Sequence, residues 1–244
     1  MLLSFSVSNY KSINEEICID FRAASGLSEG DKFCFDVNNV KVLPVISLYG
    51  ANASGKSNII EAMQNMFWTM ENSNKLFDNV NSVLYPHKPF LLDDDSKGKP
   101  TTYGVEFAIG EYCYTYRFSY YETEVQDESL FRNKLSKRET RPVLVFERTK
   151  DKPKYGRIFT SDFEKPSIIN DNVLLLTVLG GLNKKSIFHA ILRSSDSALP
   201  VPLNFHERYF GDYGFTASLY YTDAERTAAL QQFLIQFDPT IEKI

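Results

Sequence analysis

Eight consecutive residues, Gly50-Ala51-Asn52-Ala53-Ser54-Gly55-Lys56-Ser57, set two glycines ahead of a Lys-Ser pair at the spacing of a phosphate-binding loop. The chemistry needs these residue types. Glycines let backbone N–H groups close around phosphate oxygens, and the start of a helix adds a partial positive charge. Lys56 can reach β- and γ-phosphates, and the Ser57 hydroxyl can ligate Mg²⁺. The bland alternative is a Gly/Ser loop that matches by chance. The flanks argue against it. Residues 45–49 are β-branched and apolar and read as a strand. After the loop, Ile59, Ile60, Met63, Met66, Phe67 and Met70 share one broad helical face. That helix is expected to end near residues 72–74.

The rest of the chain must position this loop. Leu3, Phe5 and Val7 alternate with serines, and Ile17, Ile19 and Phe21 alternate after a polar turn, which predicts a hairpin over residues 1–21. Residues 22–41 read as a loop with one short strand near 33–37. Residues 75–100 carry Pro86, Pro89 and Pro100 and read as a long irregular connection. From Tyr103 the period becomes two. Gly110-Glu111 fits a two-residue type II′ turn between strands carrying Tyr103, Val105, Phe107 and Ile109, then Tyr112, Tyr114, Tyr116, Phe118 and Tyr120. A second hairpin is expected to pair 143–147 with 157–160. Asn170 or Asp171 is expected to cap a helix over 173–179 that Gly180-Gly181 stops. A further helix is expected at about 184–193. Thr222 and Glu225 form a capping box for a last helix ending at Asp238-Pro239.

Composition narrows the function classes. A net charge of −4 over 244 residues does not fit wholesale nucleic-acid binding. The three cysteines, Cys18, Cys34 and Cys113, are scattered, which fits thiols in a reducing cytoplasm and neither a disulfide scaffold nor a zinc site. The histidines are too far apart for metal-ligand spacing. The longest apolar run, 173–179, is too short to span a bilayer, so no membrane partner is expected.

Three other features admit two readings. Asp93-Asp94-Asp95 could hold a metal or form a solvated acidic turn. The tyrosine and phenylalanine ladder of 112–120 could stack bases or line one buried sheet face. Residues 132–157 hold ten basic residues, among them Lys137 and Arg138, against Glu139, Glu147 and Asp151. They could bind nucleic acid or an acidic partner, or simply protect sheet edges from aggregation.

The opening strand, Phe5-Ser6-Val7-Ser8-Asn9-Tyr10-Lys11-Ser12, resembles that of RecF- and SMC-like ABC ATPases, and the loop Tyr49 to Asn58 is similar to theirs, with Ala53 at a frequent Gly position. Within that class the chain looks most like stand-alone bacterial ATPases of the abortive-infection and anti-phage type, relatives of the overcoming-lysogenization-defect (OLD-like) group. The resemblance is specific over 1–70 and loosens beyond. It implies ATP and Mg²⁺ on Gly50, Asn52, Ala53, Ser54, Gly55, Lys56, Ser57 and Asn58, with Ser57 the metal ligand and Lys11 and Ser12 near adenine or ribose. It implies a head-to-tail homodimer sandwiching two ATP molecules. It also implies an effector nuclease or toxin, a phage protein or nucleic acid as partner. The family's Ser-Gly-Gly-like signature and its Asp–Glu pair are not found here. Residues 143–147 end in an acid but lie in the expected hairpin, and Gln126 is a weak candidate for the glutamine loop. The resemblance therefore implies an N-terminal half of a longer ATPase.

The expected architecture is an α/β P-loop NTPase of ABC-ATPase (RecF/SMC-like) type, with an antiparallel β-rich lobe and a helical insertion. The ATP-binding core and β lobe would occupy 1–167 and the helical part 168–244. A nucleotide-gated scaffold without turnover is the alternative function. Another phosphate-loop enzyme is a third, but a GTPase would need Asn-Lys-x-Asp, which no Asn-Lys pair here provides.

Overall fold

A row of side chains crosses all seven strands of the main sheet: Ile19, Phe5, Val105, Tyr116, Leu130, Phe146 and Tyr155 are cross-strand neighbours in that order. Period-two alternation in each strand makes such a row, because every second residue faces the same way. The computed structural model describes residues 1–24, 34–75, 86–135, 141–150, 152–159, 165–166 and 169–198. The strands are β1 (Leu2–Ser8), β2 (Ile17–Asp20), β3 (Phe35–Val37), β4 (Val40–Val42), β5 (Thr101–Ile109), β6 (Tyr112–Tyr121), β7 (Glu124–Lys134), β8 (Val143–Thr149) and β9 (Lys152–Tyr155). The main sheet runs β2-β1-β5-β6-β7-β8-β9, and β3-β4 is a separate small hairpin. Every pairing is antiparallel.

The helices are α1 (Lys56–Asn72), the single turn α2 (Asp94–Lys97), α3 (Leu175–Leu182) and α4 (Ile187–Ala198). α1, α3 and α4 share one core with the sheet. Met66, Phe67 and Met70 of α1 and Leu175, Leu179, Phe188 and Ile191 of the later helices bury against the tyrosine and phenylalanine ladder. That ladder is therefore a core face: Tyr114, Tyr116, Phe118 and Tyr120 are all buried. The opposite face is mostly polar, with Ser4, Glu106 and Thr115 side by side. At one end of that face a small cluster of Leu3, Val42, Ala108, Cys113 and Leu135 forms.

Several sequence expectations hold. The hairpin at the N-terminus forms, and Gly110, at φ 59, turns β5 into β6 with Ile109 facing Tyr112. Asp93 caps α2 by accepting from the Asp95 N–H and the Ser96 hydroxyl, so the acidic triplet is a capped turn. Others need correction. Residues 45–49 form no strand. Their apolar pattern suits a strand, but propensity makes none without a ladder, and no described strand pairs with them. Val45 and Tyr49 stay 64% and 91% exposed. The partner of β8 is 152–155 and not 157–160, because a tight turn with Lys150 at φ 51 sends the chain straight back. Neither Asn170 nor Asp171 caps α3, and Gly180-Gly181 lie inside it. Gly180 instead admits α4: a Cβ there would stand 2.4 Å from Leu192 Cδ1. Gln126 lies in a strand and not in a connection. The capping box at Thr222 falls outside the described residues.

The cap of α3 comes from the sheet. Glu128, wholly buried, accepts from the N–H groups of Leu175 at 2.7 Å and Leu176 at 2.8 Å, and from the Tyr116 hydroxyl at 2.8 Å. Its cross-strand neighbour Arg148, also buried, stands 4.0 Å away and donates to the carbonyls of Lys150, Val173 and Asn170. Burial pushes the Glu128 carboxyl above the ordinary range, against the pull of those N–H groups, Tyr116 and Arg148. Removing one partner leaves the other buried without its counter-charge. Glu128→Ala should therefore lower stability by about 3–5 kcal/mol in urea unfolding, and Glu128→Ala with Arg148→Met should recover part of it. A single-variant loss under about 1 kcal/mol would contradict this role.

Candidate functional site

The loop ahead of α1 takes the shape its glycines permit. Gly55 is the N-cap of α1 at φ 91, and Ala53 stands at φ 63, both left-handed. No side chain caps the helix and its first turn holds no acid, so its first N–H groups and its positive end face outward. Lys56 folds over the loop, its ammonium donating to the Gly50 carbonyl at 2.8 Å, the Ala51 carbonyl at 2.6 Å and the Ser54 hydroxyl at 3.3 Å. Asn52, Ala53, Ser54 and Ser57 are exposed. A helix start without a side-chain cap and a lysine held beside it suit a polyphosphate.

The N-terminal turn packs on the loop. Asn58 Nδ2 donates to Ser12 Oγ at 2.7 Å, and a Cβ on Gly55 would lie 2.9 Å from the same oxygen. Gly55 is thus required twice, by its φ and by this approach. Lys11, also left-handed at φ 49, sends its ammonium to Glu61 of α1. The Lys11 N–H donates to the Lys88 carbonyl at 2.7 Å, and the Lys88 ammonium reaches the same Glu61 at 3.0 Å. Tyr10 completes the set by donating its hydroxyl to Glu61 at 3.1 Å. Partial burial opposes the charged form of Glu61, but the bonds from Lys11 and Lys88 outweigh it and its pKa falls below the ordinary carboxylate value.

Asn9 fixes the approach of the 86–100 connection. Its amide donates to the carbonyls of Ser96 and Lys99 and accepts from the Phe90 N–H at 2.8 Å. His87 ties the same connection to the turn after β6, taking the Glu122 N–H on Nδ1 at 2.8 Å. Burial lowers its pKa, in keeping with a neutral ring.

The structure thus brings together the 50–58 loop, Lys11 and Ser12. It separates them from Glu147, which lies on β8, four strands from β1, and pairs with Lys154. Of the basic stretch, Arg148 is interior and Arg132 stacks on Tyr112 at 4.3 Å, while Lys137 and Arg138 fall outside the described residues. Among the described residues no set of three His, Cys, Asp or Glu could hold a metal. Nor is any described helix long and apolar enough to cross a membrane. Sequence reasoning missed Glu61 and Lys88. Glu61 carried one usable signal, its position four residues after Ser57 on the same helix face. Lys88 carried none.

A family model described as "AAA domain, putative AbiEii toxin, Type IV TA system" matches residues 45–227, about three-quarters of the chain. No curated protein matches it.

Two predictions arise here. Ala53 holds a left-handed conformation that costs an L-residue about 1 kcal/mol, so Ala53→Gly should leave thermal stability equal or slightly higher. A fall of several degrees in the melting midpoint would contradict that backbone geometry. Because Glu61 has a lowered pKa when folded, its contribution to stability is present above its unfolded value of about 4.3 and lost as pH falls through the folded value. The stability gap between the native chain and Glu61→Gln, about 1 kcal/mol or less for such partly exposed pairs, should be widest near pH 7 and close below about pH 4. A gap independent of pH would refute the pairing.

Proposed function

The chain belongs to this AAA-domain family of nucleotide-binding ATPases, and on that premise we propose that it is an ABC-type ATPase head of RecF/SMC-like, OLD-like kind. ATP binds on the 50–58 loop. The backbone N–H groups around Gly55 and the start of α1 take the phosphates, and Lys56 turns from the loop carbonyls to them. Lys11 and Ser12 border the nucleotide from the N-terminal turn. Mg²⁺, when bound with the nucleotide, would neutralise phosphate charge, with the exposed Ser57 hydroxyl as the protein's ligand. The observation that carries this reading is the uncapped helix start behind two left-handed residues, with a lysine folded over it.

Hydrolysis needs an acidic residue to orient water; Glu147 lies four strands from β1 and pairs with Lys154, and Glu61 is held by Lys11 and Lys88. We assign the water-orienting residue to a part of the protein outside the described residues or to a second subunit, joined when two heads close head-to-tail over two ATP molecules. ATP-driven closure would then control a toxin or nuclease effector, or nucleic acid through 132–157, in anti-phage defence within the cytoplasm. The separation of Glu147 from the loop favours a second reading, a nucleotide-gated scaffold that binds ATP without turnover.

Lys56→Ala should weaken ATP binding about 10- to 100-fold, as expected for loss of a charged hydrogen bond of about 1.5–3 kcal/mol, while the melting midpoint of the free protein changes little. Titration calorimetry with ATP decides it. Native affinity in this variant would remove the proposal.

A further inference from the structure

Glu61 receives more positive charge than it can neutralise. Two ammonium groups, from Lys11 and Lys88, converge on its single carboxylate, with the Tyr10 hydroxyl as a third donor. Among the described residues neither lysine has another carboxylate within 4.0 Å. The cluster therefore keeps an excess of one positive charge beside the phosphate loop. The bridges are partly exposed, with side chains 23–37% accessible, so they are weakly held.

The backbones of the two lysines do not depend on Glu61. The Lys11 N–H is bonded to the Lys88 carbonyl, and the Lys88 N–H to the Thr101 hydroxyl at 3.2 Å. Phe90 is fastened to Asn9 two residues on. Ser12, next to Lys11, already touches Gly55 and Asn58 of the loop. Both ammonium groups can therefore swing on their four-carbon stems while their main chains stay in place.

We propose that Glu61 acts as an internal competitor for phosphate. It parks Lys11 and Lys88 beside the loop, and an incoming triphosphate takes both ammonium groups. Lys88, from a connection with no motif, is then a second nucleotide-contacting cation, and Glu61 a positioning residue that sets affinity. The inference rests on the reading that the 50–58 loop binds ATP.

The test is an affinity series on the full chain with a fluorescent ATP analogue, and with AMP as competitor, alongside melting curves. Glu61→Gln removes the competing charge and keeps both lysines, so ATP should bind about three- to tenfold tighter, although the free protein melts no higher. Lys88→Met should weaken ATP about tenfold and leave AMP within about twofold. The double variant should lose most of the Glu61→Gln gain, and Glu61→Asp should restore near-native affinity. A merely structural Glu61 would do the reverse, because its loss would loosen the site and weaken ATP. Unchanged or weaker ATP binding in a cooperatively melting Glu61→Gln variant overturns the inference. If that variant does not melt cooperatively, Lys88→Met decides alone, and native ATP affinity in it overturns the inference. Lys56→Ala is the control that separates the two levels: native ATP affinity there removes the loop reading itself, whereas loss there with no response at Glu61 or Lys88 removes only this inference.

Discussion

Glu128 and Arg148 face each other across β7 and β8 inside an otherwise apolar row, and much of the fold hangs on how that charge is met. Two charges in a core are costly unless each remaining lone pair and proton finds a partner. Here Glu128 accepts three hydrogen bonds and Arg148 donates three, and four of the six partners are main-chain groups of the segment that leads into α3. The result is a helix whose first N–H groups are capped by a side chain 47 and 48 residues earlier in sequence. The restraint passes onward. Thr177 of α3 accepts from the Ser73 hydroxyl and donates to the Met70 carbonyl, fixing the C-terminal end of α1. The N-terminal end of that helix is the phosphate loop. Sheet, buried pair, α3 and α1 form one chain of contacts that holds the loop's helix at a set angle to the core.

The N-terminal turn closes the arrangement from the other side. β1 is central enough to pair with both β2 and β5, so its last residues are well anchored. Asn9, Lys11 and Asn38 show that the chain accepts left-handed backbone at non-glycine residues where hydrogen bonds compensate. At Asn9 the compensation is unusually full, with the side chain answering carbonyls and an N–H of the 86–100 connection. That connection has no hydrophobic period, and polar bonds place it: those of Asn9, with the Glu122 N–H to His87, the Lys11 N–H to the Lys88 carbonyl and the Tyr103 hydroxyl to the Pro86 carbonyl.

What could be read from sequence was what depends on local order. The period of two in β1, β5 and β6, the Gly110 turn and the helix after Lys56 all follow from neighbours within a few residues. The 50–58 loop stands out in the sequence because its motif is a contiguous run. Residues 45–49 were misread because a strand is made by its partner, which period alone does not reveal. The cap of α3 was misplaced because Asn170 and Asp171 sit where a local cap should, while the group that does the work comes from β7. Gly180 looked like a stop and is a contact, a difference set by Leu192 on the next helix. Arg148 counted toward a surface patch and proved to be interior, since its neighbours in sequence say nothing of the carboxylate across the strand. Glu61 and Lys88 belong to the same class: their meeting depends on tertiary placement of a connection that the sequence leaves featureless.

The central claim, that residues 50–58 form the phosphate cradle of this ATPase, is tested most directly by amide hydrogen exchange of the full chain with and without millimolar Mg·ATP. The account predicts slower exchange at residues 52–58 and in the first turn of α1, with β8 and β9 unchanged. Exchange at 52–58 that is indifferent to ATP, or protection confined to other segments, would contradict it.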